Sequence, residues 1–470
     1  MSPEAQRAQA VPPNGLGASR KPAASAGPSC AGHVEASVAV FGGGLAGLSA
    51  ALALGTAGHP VTVYEARPFL GGRATSYAVN DVTVDNCQHI LLRCCNNLID
   101  FYRRLGVDQK VTFYREFYWM EPGGRTSVMK RGMLPAPAHF TGSFAGLRFI
   151  GIADKISIAR GLLAVRSEYG KRQDLDTISM LEWLREKKQT QQSIDRFWRQ
   201  VLVSAVNEEL DVMAASHGLQ VFYLGFLAGA DNYEMGIPSI PLAELYSQEI
   251  WKNHPNVKFE FRTPLDHLEI TEGAVTSALL DNKPVVADRY LLAVPFERIP
   301  KVAPGLNLDL SDFTHVPITG IHLWFDRSIT DLPHATFLDR TIQWLYNKQD
   351  GKHVQLVVSA SRSLTELSKG DVVQLALKEL AEFFPTVKDA KLERSHVVKE
   401  MRATYSAKVG LEAKRPTANT QVRNLFLAGD WTKSDWPSTM EGAVRSGYKA
   451  AEAILESLGS PRRFLHPDAH

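Results

Sequence analysis

The sequence predicts an α/β protein founded on a strand–helix–strand unit between Ser37 and Glu65. Three observations predict it. Ser37–Phe41 is a short apolar run rich in Val and Ala, the composition of a parallel strand buried on both faces. Gly42, Gly44 and Gly47 follow in G-x-G-x-x-G spacing and open an Ala/Leu-rich helical stretch, Leu45–Ala57, that stops at Gly58. Val61–Tyr64 is a second strand, with Glu65 at its end.

Parts in this order make a dinucleotide cradle. Gly42 permits the tight turn, Gly44 lets backbone approach a pyrophosphate, and Gly47 lets the helix pack close to the sheet. The helix N-terminus adds free N–H groups and a partial positive charge. Glu65 lies close to the ~20 residues on at which an acid reaches ribose hydroxyls. A carboxylate there repels a 2′-phosphate, so the site favours an adenosine with free ribose hydroxyls.

A chain of 470 residues allows two to four domains, and its ordinary share of apolar residues suffices for a large core. The formal net charge of +2 argues neither for nor against nucleic acid, but no long basic run appears and no nucleic-acid partner is expected. Cys30, Cys87, Cys94 and Cys95 form neither a disulfide framework nor a C-x-x-C pattern. A reducing, cytoplasmic compartment and no metal site are expected. Residues 1–35 are rich in Ala, Pro, Ser and Gly and read as a disordered leader. No apolar stretch reaches the ~18 residues a spanning helix needs.

Further along, Thr75–Val84 reads as a hairpin turning at Asn80-Asp81, and Ile90–Leu105 as a helix. Val111–Glu121 reads as one strand. His139–Val165 is apolar with scattered cations; it reads as a core helix pair or as a patch lying on a membrane, with Phe144, Leu147, Phe149 and Ile150 on one face. Asp176–Leu184 reads as a helix capped by Asp176 or Thr177, and Gln191–Ala214 as a longer one on which Glu208 and Glu209 are solvated. Strands are expected at Val257–Arg262, Leu265–Thr271, Val275–Leu280, Val285–Val294, Thr314–Trp324 and Gln355–Ser359. Asn424–Ala428 is an apolar strand ending in Gly429-Asp430, before a helix that runs to about Leu458.

Three motifs carry a family resemblance. Arg67 and Gly71-Gly72-Arg73 after the second strand resemble the extended signature of the flavin amine oxidase and phytoene desaturase superfamily. Asp85-Asn86-Cys87-Gln88-His89 resembles the D-N-G-Q-H signature of the hydroxysqualene dehydroxylases, with Cys87 at the usual Gly. The run from Gly429-Asp430-Trp431 through Trp436-Pro437-Ser438-Thr439-Met440-Glu441-Gly442-Ala443 is similar to the second flavin signature of the same family, and the likeness extends over roughly Val38–Leu458.

The resemblance implies FAD rather than NAD. It implies a discontinuous Rossmann-like FAD-binding domain (36–115, 230–300 and 420–459), an inserted α+β substrate domain (116–229 and 301–419) and a tail at 460–470. Its cofactor-binding set is Gly42, Gly44, Gly47, Glu65, Arg67, Gly72, Arg73, Leu265, Gly429, Asp430, Glu441, Gly442 and Ala443. Leu265 falls where a backbone contact to adenine is expected, Asp430 where the ribityl chain or diphosphate lies, and the helix start at 441–443 would face the flavin pyrimidine.

The implied reaction is reduction of hydroxysqualene to squalene, on a route to hopanoids or related triterpenes. It needs a proton donor, for which His89, Asp85 and Glu441 are candidates. The alternatives are a carotenoid or phytoene-type desaturase running hydride the other way, and a prenyl-chain-binding escort without catalysis. The expected partners are a long isoprenoid and a membrane surface, met from the inner face of the cell membrane. No second G-x-G-x-x-G names the electron donor.

Overall fold

In the computed structural model residues 35–468 are described; the leader up to 34, and 469–470, lie outside the described residues. The architecture rests on a five-stranded, wholly parallel sheet. Its centre is β1 (Val38–Phe41), followed by α1 (Leu45–Thr56) and β2 (Val61–Glu65). Across the sheet the order is 257–261, β2, β1, 289–292, 425–427, in register Val38↔Val61 and Val38↔Arg289 about the centre. Three distant stretches of chain thus supply one sheet. β1 is buried throughout, as its unbroken apolar run requires.

The glycines set how closely the helices approach. A Cβ on Gly47 would stand 2.0 Å from the Gly42 carbonyl oxygen, so α1 reaches the sheet only because none is there. On the other side of α1 packs the C-terminal helix, Met440–Ser457. There a Cβ on Gly447 would lie 2.1 Å from Ser49 Oγ and 2.2 Å from the Ala46 carbonyl oxygen.

β3 (Ser76–Val79) and β4 (Val82–Asp85) form the expected hairpin, turning at Asn80 with φ 54°. The next helix, α2 (Asn96–Leu105), starts later than its sequence suggests, because Leu91 and Leu92 are drawn into antiparallel pairing with Gly236 and Met235. Val111–Glu121 divides at Arg115: 111–114 pairs with 235–238, and 116–120 enters a different sheet. That sheet has seven strands, in the order 392–405, 315–325, 353–358, 344–349, 334–337, 116–120, 126–130. Strands 265–271, 274–280 and 283–285 make a separate antiparallel sheet.

Other expectations change for local reasons. The cap before Met180 is Ser179, in a capping box with Glu182, and not Asp176 or Thr177. Gln191–Ala214 is broken at Asn207, whose φ of 59° ends the helix and whose side chain accepts from Ala360 N–H at 2.6 Å. Glu208 is not solvated: it is fully buried and bidentate to Arg362 at 2.7 and 2.9 Å. The C-terminal tail folds back, with Phe464 buried and Leu465 N–H donating to Glu452.

The 139–165 region resolves into α3 (Thr141–Ala145) and α4 (Ile152–Glu168). Of the two readings of its apolar face, core or membrane, the core reading holds. Leu147, Phe149 and Ile150 are buried, Phe149 stacks on Trp119 at 5.0 Å, and Phe144 packs edge-on against Phe197. No described helix is long and apolar enough to cross a membrane.

The α1 crossing yields a first test. Gly447→Ala adds about 1 kcal/mol of helix propensity, yet its Cβ would meet a backbone oxygen that cannot swing aside. Overpacking of this kind costs roughly 1–3 kcal/mol. A net loss is therefore expected in urea unfolding, and an unchanged or raised midpoint would show that the two helices part freely.

Candidate functional site

The C-terminal ends of the parallel strands open into a crevice between β1 and the strand 289–292, where the sheet order reverses direction in the chain. Gly42 turns out of β1 with φ +112°, and a Cβ on it would sit 2.4 Å from the Ala293 carbonyl oxygen. Gly44 caps α1 without a side-chain acceptor, so the first N–H groups of the helix face the crevice uncapped. The loop after β2 returns against this turn. Gly71 N–H donates to Gly43 O at 2.9 Å, and a Cβ on Gly72 would lie 2.9 Å from Gly44 Cα.

Glu65 stands under the turn. One oxygen accepts from Gly43 N–H at 2.6 Å and the other from Arg67 N–H at 2.8 Å. Each oxygen retains a lone pair for a ribose hydroxyl. Arg67 also reaches Gly72 O at 3.3 Å. Thr263 N–H donates to Glu65 O, which brings the start of the Leu265 strand beside the same strand end.

Arg73 links the far parts of the chain. Its guanidinium pairs with Asp430 at 2.5 Å and donates to Ala403 O at 3.0 Å. Burial alone would push the Asp430 carboxyl up, but Arg73, with Ser438 and Arg415, holds it below the usual carboxylate range. Gly429, at φ +143°, makes the turn before it, fixed by Ser446 Oγ at 2.9 Å. Arg415 was not legible as a site residue. It is buried, and it donates to the carbonyls of Asp430, Thr432 and Trp436, so one cation shapes the whole 430–436 loop.

The start of the C-terminal helix departs from expectation. Thr439 caps it: its hydroxyl takes Gly442 N–H at 3.0 Å, and its carbonyl takes Ala443 N–H at 3.0 Å. The donors left for a ligand are those of Met440 and Glu441. Glu441 itself is turned away as an acid. Its oxygens accept from Asn97 N–H, Asn97 Nδ2 and Leu98 N–H, so it caps α2 from across the core. Burial raises its pKa.

Asp85–His89 joins the crevice to the seven-stranded sheet. Asn86 Nδ2 donates to Arg73 O at 2.8 Å, while its Oδ1 is buried without a partner, an acceptor open to a ligand donor. Asp85 accepts from Ser76 Oγ at 2.7 Å, Leu242 N–H at 3.0 Å and Lys348 Nζ at 3.3 Å. Lys348 also donates to Gln88 at 3.0 Å. Behind it, His322 donates to or accepts from His353 at 3.1 Å and reaches Asp85 O at 3.0 Å; burial lowers their pKa values to about 4 and about 3.

Cys87 has no positive φ, so the residue replacing the usual Gly sits in ordinary backbone; burial pushes its thiol up to about 12. His89 is half-buried, with Nδ1 3.0 Å from Cys87 O, and burial lowers its pKa. Lys348 and the histidine pair escaped sequence reading because each lies over 200 residues from Asp85.

The crevice therefore fits a dinucleotide. It offers a turn that a Cβ would fill, an uncapped helix, a carboxylate with spare lone pairs and an orphaned buried acceptor. The model of the family described as flavin containing amine oxidoreductase matches residues 45–455. A zeta-carotene desaturase of Synechocystis is 25% identical, over 89% of this chain and 97% of that protein. A 15-cis-phytoene desaturase of Synechococcus elongatus is 25% identical, over 89% and 95%. Among solved structures, an oxidoreductase from Methanosarcina mazei (TM-score 0.67, 17% identity, 89% and 100% covered) and cyclohexylamine oxidase from Brevibacterium oxydans (0.65, 17%, 90% and 100%) share the fold.

Two tests follow from these contacts. Glu441→Ala leaves the buried N–H groups of Asn97 and Leu98 unpaired, each costing about 1–3 kcal/mol, and removes one of the two partners of Asn97 Nδ2. Thermal unfolding should fall accordingly, whereas a stable variant that lost only turnover would return Glu441 to an acid role. For Asp430 the folded pKa is depressed. Its stabilising contribution is complete above the unfolded value of about 3.9 and disappears as pH falls through the lower folded value. Asp430→Asn should therefore flatten the acid limb of stability against pH, and an unaltered limb would mean that the pair contributes nothing.

Proposed function

The chain belongs to the flavin containing amine oxidoreductase family, and from that premise we propose that this FAD-dependent oxidoreductase reduces hydroxysqualene to squalene. The observation that carries the reading is the position of Asp85–His89. Asn86 is bonded to Arg73 of the crevice, and Asp85 and Gln88 to Lys348 of the opposite sheet. In this reading the segment most similar to the dehydroxylases would lie where cofactor and substrate meet, which these bonds to Arg73 and Lys348 support. Relatives named for carotene and phytoene support a long isoprenoid as the substrate class.

Gly42, Gly44 and Gly47 would cradle the diphosphate on α1, Glu65 would take the ribose hydroxyls, and Arg73–Asp430 would fix the loop over the cofactor. The chemistry that bound, reduced FAD would supply there is a hydride for the allylic carbon. The C–O bond must break before or as that C–H bond forms, and for the hydroxyl group to depart as water it must take up a proton. Asp85 and Glu441 are engaged as acceptors, so that role falls to His89. With Nδ1–H on the Cys87 carbonyl, the ring acts as an acid once Nε2 is protonated. In this reading the enzyme docks on the inner face of the cell membrane to meet its apolar substrate.

The desaturase relatives favour a second reading, hydride removal from a carotenoid precursor. Anaerobic incubation separates the two. Reduced holoenzyme with hydroxysqualene should yield squalene by mass spectrometry, and oxidised holoenzyme with phytoene should yield no new double bond; the reverse pattern would establish the desaturase. Because burial lowers the His89 pKa, single-turnover rates should decline as pH rises through a value below the ordinary 6.5, and His89→Gln should abolish that decline.

A further inference from the structure

Between residues 131 and 166 lies an exposed apolar feature that the core does not explain. Met133, Leu134, Ile152, Ile156 and Leu163 are all exposed, Met133 fully and Ile152 by 78%. The segments that carry them are tied to one another. Gly132 N–H donates to His139 O at 2.6 Å and closes the 131–139 loop. Ser143 of α3 bonds Lys130 O at 2.7 Å, and Lys155 of α4 reaches Ala145 O at 2.7 Å.

The helix α4 is two-sided. Ser157, Ile158, Gly161 and Val165 face the core, and Asp154 turns inward to Gly151 N–H and Thr190. Ile152, Ile156 and Leu163 share the outer face at helical spacing. Arg160 and Arg166 flank that stripe on the helix, Arg148 is exposed just before the helix starts, and none of the three has a carboxylate partner among the described residues. Asp154, the single acid between Arg148 and Ser167, is spent inward.

We infer that the outer face of α4 and the 131–134 loop form a docking surface for an anionic lipid bilayer. The Ile and Leu side chains would enter the acyl boundary while the arginines lie at the headgroups. Charge decides the occupant. A second copy of this surface would bring two cationic rims together, whereas an anionic leaflet neutralises one. This surface deepens the isoprenoid reading and takes its purpose from it, since squalene-sized chains reside in membrane.

The test is flotation of FAD-loaded full-length protein with phosphatidylcholine vesicles, or with vesicles in which phosphatidylglycerol replaces part of the phosphatidylcholine. Binding should be strong only with phosphatidylglycerol. Ile156→Glu with Leu163→Glu should weaken it about tenfold or more, with flavin colour and unfolding midpoint retained; Val286→Glu, on another exposed surface, should not. If the apolar variant precipitates, Arg148→Glu with Arg160→Glu decides, and should remove the phosphatidylglycerol dependence. Undiminished flotation of the soluble variants overturns the inference, as does a concentration-dependent dimer that the same substitutions dissociate. Turnover of detergent-dispersed hydroxysqualene is measured alongside. Turnover without flotation refutes the surface alone, and flotation without turnover refutes the proposed reaction alone.

Discussion

The Arg73–Asp430 pair is the contact on which the rest of the site depends. Its partners are 357 residues apart, and each is fixed to something else. The Arg73 guanidinium also holds Ala403 in the seven-stranded sheet, while its carbonyl holds Asn86. Asp430 is held in turn by Ser438, and Arg415 grips its carbonyl. One ion pair thus locates the glycine turn, the C-terminal loop and the Asp85–His89 segment relative to one another. A buried carboxylate left without such a partner is strongly destabilising, so the three segments are obliged to arrive together.

A second layer of buried polar groups positions Asp85–His89 from the opposite side. Lys348 and His322 arrive on strands of the seven-stranded sheet and bond to Asp85. Gly320 lets that sheet approach: a Cβ there would stand 3.1 Å from Asn86 O. The segment is therefore clamped between the seven-stranded sheet and the Arg73 loop by bonds from both. That clamp explains why Cys87 can replace a glycine. The local backbone needs no left-handed conformation, and the thiol is enclosed as a small apolar group.

Acidic residues that look alike in sequence do different work here. Glu65 accepts from its own turn, Glu208 neutralises Arg362, and Glu441 caps a helix formed more than 300 residues earlier. Each is nearly inaccessible to solvent, and each is tolerated because its oxygens are paired.

The parallel strand–helix–strand unit was readable because its determinants are local. Glycine spacing, an apolar run and a terminal acid all fall between Val38 and Glu65, and they fold as that pattern requires. The resemblances carried by Gly71–Arg73, Asp85–His89 and Gly429–Ala443 were legible for the same reason. Local pattern could not show that Leu147, Phe149 and Ile150 face inward while Ile152, Ile156 and Leu163 face out, because both sets are apolar and share one short stretch. Nor could it show that Glu441 serves α2 or that Lys348 meets Asp85. Sequence alone therefore determined which backbone could bind a dinucleotide. The tertiary structure decided which charged and apolar side chains are free to act, because that freedom depends on partners brought from hundreds of residues away.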